Sequence, residues 1–287
     1  MPPVINLPLT NKARLPTMLL WLGAALIVFF FFWVLEDIVQ KGWSRISWHF
    51  LTGLPEDAGR SGGIAPILVS TGGIMAVCLG VAVPTGVGAA LFLAEFSGHE
   101  TRLGRLIRHG LDLLAGVPSI VFGLFGNAVF CVLFGFGFSI LSGGLTLACM
   151  VLPLLIRTIE VGLRSLPVET RLAAAALGLS RLATIRRVLL PAAAPVLLVG
   201  LLLAGSRAIA ETAALVFTSG YVDRMPSSVF DSGRAVSVHI FDLSMNIPGG
   251  DQSAYASALV LIALLTMTSG LTALIGRRWR NQRIIMK

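Results

Sequence analysis

The chain has 287 residues, 55% hydrophobic and 13% charged, with a mean hydropathy of +0.86 and a formal net charge of +8. Soluble domains carry about 25% charged residues, so this composition excludes an ordinary water-soluble globule and puts most of the chain in lipid. The positive balance does not indicate nucleic acid, because the basic residues cluster beside apolar runs, where they report membrane orientation.

In chain order, a polar tail over 1–14, with Lys12 and Arg14, precedes a continuous apolar run from Leu15 to Leu35. That run meets the ~20 residues a helix needs to cross a bilayer. A basic start before an apolar run is also the layout of a signal peptide. This run is too long and ends in Val-Leu-Glu-Asp instead of small residues, so we read it as an uncleaved first span. Residues 36–63 form an outer, periplasmic segment with Gly and Pro turns and mixed charge.

A core of five spans then covers 64–276. Its first helix, about Ile64 to Glu95, carries Gly72, Ala76, Gly80, Pro84 and Gly88 at intervals of four, a flat stripe that a neighbouring helix can approach closely. Arg102, Arg105 and Arg108 mark a cytoplasmic loop. The next span, about Leu111 to Phe134, holds AGVPSIVFGLFG, in which Pro118 is expected to loosen the helix. Asp112 reads as a helix-start residue. A fourth span follows from about Phe138 to Ile156.

Residues 162–190 interrupt the apolar pattern with Arg164, Arg171, Arg181, Arg186 and Arg187 against one acid, Glu169. Ser165 and Pro167 signal the start of a short helix running to about Leu177. Gly178 breaks it, and Ser180 caps a second helix expected to end before Pro191. The fifth span, about Pro191 to Thr218, contains Arg207 and Glu211, four residues apart and so predicted on one helix face. Charges at that depth cost at least ~2.5–3.5 kcal/mol and normally turn inward with a partner. Two readings stand: a structural ion pair, or a gate and transient anion contact on a transport path. An outer segment over 219–254 carries Asp223, Asp231, Asp242 and Asp251 against Arg224 and Arg234, with SVHIFDL apolar enough to fold back as a short helix. The sixth span, about Tyr255 to Ile275, ends in a basic tail over 277–287, with Arg277, Arg278, Arg280, Arg283 and Lys287.

The basic loops alternate with the others, so the positive-inside rule predicts six spans with both termini in the cytoplasm. Cys78, Cys131 and Cys149 lie inside apolar runs and read as packing residues. His49, His99, His109 and His239 are scattered, and no ligand cluster suggests a metal. No G-x-x-x-x-G-K-[ST] motif and no nucleophile–base set is visible, so the chain is expected to be no enzyme by itself and to bind no cofactor.

Ala173 and Ala174, then Gly178 and Val188-Leu-Leu-Pro191, resemble in spacing the EAA loop of ABC-importer permeases, which docks into a cleft of the cytoplasmic ATPase. The family's Glu before the alanine pair is Leu172 here, although Glu169 precedes it by three positions. The stretches AGVPSIVFGLFG, RAIAETAALVFTSG and SVHIFDLSMNIPGGDQSAYASALVLI are similar to the phosphate ABC-importer permeases of PstA type. Ala210 and Ala214 stand where that family commonly has Gly and Pro, and Ala214 implies a straighter helix.

The resemblance implies an all-α polytopic type I ABC-importer permease fold and alternating access for phosphate in a bacterial inner membrane. It also implies a PstC-type second permease, a PstB-type ATPase dimer that uses the ATP, and a PstS-type periplasmic binding protein. Glu169, Arg171, Leu172, Ala173, Ala174 and Gly178 would then serve ATPase coupling, and Arg207 with Glu211 the path. The same architecture admits molybdate, tungstate or sulfate. A secondary transporter or channel would not need the basic helix–Gly–helix loop, and a membrane-embedded enzyme would need a catalytic cluster.

Overall fold

Apolar runs in lipid must satisfy their backbone hydrogen bonds within themselves, which leaves the helix as the local solution. The computed structural model describes residues 11–97 and 101–284. The first ten residues, His99 and Lys287 lie outside the described residues, as do the side chains of Lys12, Arg14, Arg277, Arg278, Arg280 and Arg283.

The first helix, α1, runs from Asn11 to Trp43, well past the predicted end at Leu35. Glu36 and Asp37 do not stop it, because Gln40 and Lys41 pair with them one turn later. A short α2 (Trp48–Thr52) follows, capped by Ser47, whose Oγ accepts from Phe50 N at 3.1 Å. Strands β1 (Pro55–Glu56) and β2 (Ser61–Gly62) then pair antiparallel. The next helix, α3 (Ala65–Leu91), continues as a π-helical turn over Phe92–Phe96.

The predicted loop at Arg102, Arg105 and Arg108 is a helix, α4 (Arg102–Ala115), capped by Thr101. The chain then breaks at Gly116–Pro118 and restarts as α5 (Ser119–Gly126), which runs on in π-helical form over Asn127–Leu133. The two limbs differ in direction by 102°. Pro118 therefore does more than loosen a span. The residue before a proline avoids the α region, so the chain stops at Val117 and restarts at the proline.

The remaining elements are α6 (Ile140–Arg164), α7 (Val168–Ala176), α8 (Arg181–Thr184), α9 (Leu190–Ile209), α10 (Ala213–Val216), α11 (Val236–Met245) and α12 (Asp251–Ile284). A π-helical turn over Ile185–Leu189 fuses α8 to α9, so the second short helix does not stop before Pro191. Pro191 falls at the first turn of α9, where its missing N–H costs nothing. By length and composition five of the described helices are able to cross a membrane, and the bent α4–α5 pair makes a sixth crossing if counted as one.

The central helix is α6, packed against α3, α9, α4 and α5. It extends to Arg164, eight residues beyond the predicted limit at Ile156. Helix association in lipid depends on close packing more than on apolar transfer. Accordingly Leu155 lies against Gly86 and Gly200, and a Cβ on Gly86 would come within 2.8 Å of it.

The small-residue stripe faces the other way. Gly72, Ala76, Gly80, Pro84 and Gly88 are all exposed, while Ile74, Cys78, Ala82, Gly86 and Ala90 form the buried face of α3. No helix among the described residues covers the stripe. Helix α1 is also exposed along its apolar length and packs antiparallel on α12, with Gly42 against the Tyr255 backbone.

Candidate coupling site and translocation path

The α7–α8 hairpin is built locally. The N–H of Leu179 donates to Ala174 O at 3.1 Å and that of Gly178 to Ala175 O at 2.9 Å, a Schellman closure of α7. Gly178 sits at φ +70, and nothing lies within 4 Å of where its Cβ would be. The glycine is thus required by backbone conformation and not by a close neighbour. Ser180 caps α8, its Oγ accepting from Ala183 N at 3.3 Å. Ser165 instead closes α6, donating to Gly162 O at 2.8 Å, and Pro167 occupies the N-cap of α7.

On α7, Glu169, Leu172 and Ala173 are exposed, and Leu172 keeps 63% of its surface free. Ala174 is buried within this chain, so it packs inward and offers no side chain to a docking partner. Arg171 also turns inward. Its Nη2 donates to Glu95 Oε1 at 2.6 Å and its Nε to Oε2 at 3.2 Å, with Leu163 O and Leu166 O taking further N–H groups. Sequence reading placed Arg171 on the docking surface; the structure ties it to the end of α3.

Beside this pair lies a second cluster that sequence reading missed. Glu160, 2% exposed, accepts from Arg108 Nε at 2.8 Å and Arg164 Nε at 3.0 Å through one oxygen. Its other oxygen accepts from Arg157 Nη1 at 3.3 Å. Arg157 also grips Asp112 through two nitrogens, at 3.0 and 3.1 Å. Asp112 therefore sits in the last turn of α4 as an ion-pair partner and does not start a helix. Arg108 and Arg164 additionally donate to the carbonyls of Leu93 and Ser97. Those carbonyls lie at the C-terminal end of α3 and its π-helical turn, where guanidinium satisfies the negative end of the helix. The spacing of Arg157, Glu160 and Arg164 was a readable signal on one helix face; Arg108 and Asp112 join only through the fold.

Arg207 and Glu211 are separated by a break. Helix α9 ends at Ile209, and Ala210 to Thr212 leave the helix before α10. Glu211 is thus off the helix, and no salt bridge joins it to Arg207. Ser237 Oγ on α11 donates to the Glu211 carbonyl at 2.6 Å, holding the broken segment. The break forms without a proline at Ala214, so that alanine does not straighten the span. Arg207 is exposed on α9. Gly123 lets α5 approach this region, since a Cβ there would lie 2.9 Å from Ala214 Cα.

The SVHIFDL stretch forms α11, as expected, and Val236, Val238, His239 and Leu243 on it are buried. Arg234 reaches Asp242 at 3.3 Å and His239 Nδ1 at 3.3 Å. Burial, reinforced by the Arg234 charge, pushes the His239 pKa down to about 3 although Asp242 opposes it.

The profile of the binding-protein-dependent transport system inner membrane component family matches residues 82–281. The chain belongs to that family. Bacillus subtilis YqgI, a probable ABC transporter permease protein, is 30% identical over 99% of both chains. Phosphate transport system permease protein PstA 2 of Mycobacterium bovis is 31% identical, covering 86% of this chain and 83% of its own. PstA of Mycobacterium leprae is 33% identical over 81% of this chain and 78% of its own. Among solved structures, an inward-facing MetNI methionine ABC transporter chain superposes with TM-score 0.58 at 17% identity, over 75% of this chain and 94% of its own. A chain of a bacterial importer of the acidic polysaccharide alginate gives TM-score 0.63 at 13% identity, over 93% and 98%. These two resemblances show the fold. As a permease of this family, the chain is the membrane subunit of an ABC transporter. ATP hydrolysis belongs to a separate ATPase, and a substrate-binding protein delivers the cargo.

Proposed function

We propose that this chain is the PstA-type half of a phosphate importer in the bacterial inner membrane, paired with a PstC-type permease, a PstB-type ATPase dimer and a PstS-type binding protein. The observation that carries the reading is the identity of about a third to PstA permeases across most of the chain. Arg207 supports it. It is exposed on α9 with no acidic partner among the described residues, leaving a planar guanidinium fork for phosphate oxygens. The exposed stripe on α3 fits a surface that a second permease covers.

In the proposed cycle, the α7–α8 end faces the cytoplasm and both termini lie on that side. ATP binding closes the ATPase dimer, the hairpin moves with it, and the helices open outward to receive the anion. Hydrolysis returns the path to the inside. Exposed Glu169, Leu172 and Ala173 on α7 meet the ATPase, while this chain binds neither ATP nor another cofactor. The deciding experiment is co-purification with an ATPase followed by uptake in proteoliposomes. Phosphate-dependent ATP turnover, absent with molybdate, tungstate or sulfate, is expected; turnover driven by one of those anions alone assigns a different oxyanion. A tag beside Asp251 is expected outside, and its cytoplasmic placement overturns the orientation.

A further inference from the structure

Among the described residues, Arg108–Glu160 and Arg157–Asp112 tie α4 to α6, and one further ion pair reaches from the docking hairpin to a helix of the core. Glu95 sits in the π-helical turn that ends α3, and Arg171 sits on α7. Their side chains are 15% and 27% exposed and meet through two charge-assisted contacts, with the shorter at 2.6 Å. Arg171 also holds the carbonyls of Leu163 and Leu166, so one guanidinium bridges α3, the end of α6 and the connection into α7.

Around this contact the hairpin and α3 stand apart. A cavity of about 270 Å³ opens between them, lined by Glu95 and Phe96 at the end of α3 and by Arg171, Leu179, Arg181 and Ile185 from the hairpin and the turn that follows it. The apolar seam with Ala90 and Leu93 is made by Ile185 and Leu189, next to α9, and no residue of α7 belongs to that cluster. The polar connection from α7 to the end of α3 is therefore the ion pair, while the same guanidinium holds the carbonyls of Leu163 and Leu166 at the end of α6. The α3 end is itself rigid, because Arg108 and Arg164, fixed by buried Glu160, cap its carbonyls. A displacement delivered at Glu95 is thus passed to the whole helix instead of fraying its last turn.

We infer that the Glu95–Arg171 pair is the mechanical link by which the docking hairpin moves α3 and its exposed small-residue stripe. Glu95 is then a positioning residue for transport. This rests on the proposed docking role of α7. Loss of the pair uncouples the hairpin from the path without removing the ATPase contact, because the exposed residues of α7 remain in place.

The test compares the parental complex with Glu95→Gln and Arg171→Lys in proteoliposomes containing the ATPase and the second permease. Each variant keeps side-chain size while removing the charge or the planar fork. Two quantities are read: inorganic phosphate imported per ATP hydrolysed, and maleimide labelling of Ala76→Cys on the α3 stripe, with and without ATP. The labelled chain has Cys78, Cys131 and Cys149 replaced by alanine. Both variants are expected to assemble and hydrolyse ATP, with uptake per ATP down at least tenfold and labelling at position 76 no longer responding to ATP. Parental uptake per ATP and ATP-responsive labelling in both variants overturn the inference. Failure of both to assemble also overturns it, since the pair is then a folding element. A parental complex that ignores phosphate yet labels in response to ATP sinks the substrate reading alone, and the labelling then decides the link.

Discussion

Glu160 on α6 and Arg108 on α4 meet at 2.8 Å, with the carboxylate 2% exposed and the guanidinium side chain 12% exposed. Removing one partner of a buried pair strands the other charge, at a cost of about 3–5 kcal/mol. Here three arginines converge on that carboxylate. Glu160→Ala is expected to lower the melting temperature in detergent sharply, and Glu160→Gln, which keeps shape and one acceptor oxygen, to lower it less. An unchanged melting temperature for Glu160→Ala would remove Glu160 as the organiser of this end of the bundle.

The left-handed backbone at Gly178 sets a different test. A side chain there meets open space but strained geometry, costing ~1–2 kcal/mol for most residues and less for Asn. Gly178→Asn should keep uptake near the parental level, whereas Gly178→Val should leave membrane insertion intact and uncouple ATP turnover. Equal uptake in the two variants would show that the hairpin tolerates a reshaped turn.

Arg207 and Glu211 make no ion pair, so their substitutions are expected to act independently. A double-mutant cycle on thermal stability with Arg207→Ala and Glu211→Ala should give a coupling below about 0.5 kcal/mol. Every assembled complex lacking Arg207 should fail to import phosphate. Uptake by an assembled Arg207→Ala/Glu211→Ala complex would falsify the anion-contact role.

Leu172 projects from α7 with 63% of its surface free. If the ATPase meets Leu172 with an apolar surface, a carboxylate placed there is desolvated without a partner. Leu172→Glu is expected to weaken ATPase pull-down several-fold while leaving the melting temperature of the isolated permease unchanged. A tighter complex would show instead that the ATPase offers a cation to this position.

His239 predicts an acid limit to stability. Its folded pKa of about 3 lies below the unfolded value near 6.5, so between those values the unfolded chain binds the proton and the folded chain does not. The stabilising effect of neutral His239 is complete above pH 6.5. It is lost as pH falls toward 3, by roughly 1.4 kcal/mol per pH unit well inside that window. Melting temperatures should fall between pH 7.5 and pH 5, and the drop should shrink in His239→Gln. An identical drop in that variant would assign the acid sensitivity to other groups.

Much of the site was legible locally. Gly178 and Ser180 announced the hairpin because a left-handed turn and an N-cap are properties of a few adjacent residues. The limits of α1 and α6 were set too short, because charged residues near a span end look like boundaries in sequence. In the fold, the pairing of Lys41 with Asp37 and of Arg164 with Glu160 carries the helices onward. The inward turn of Arg171 was not legible, since its partner Glu95 lies 76 residues away.

The sequence by itself determined the class of molecule and the hairpin. Apolar length and the clustering of arginines depend on composition along the chain, and lipid permits such runs one backbone solution. Only the tertiary structure decided where the charges go. It gave Arg108 and Asp112 to α6, turned the Gly72–Gly88 stripe outward, and separated Arg207 from Glu211. Those outcomes depend on which helix faces pack and where a helix breaks. Both follow from contacts between residues far apart in sequence, such as Gly123 against Ala214 and Ser237 on the Glu211 carbonyl.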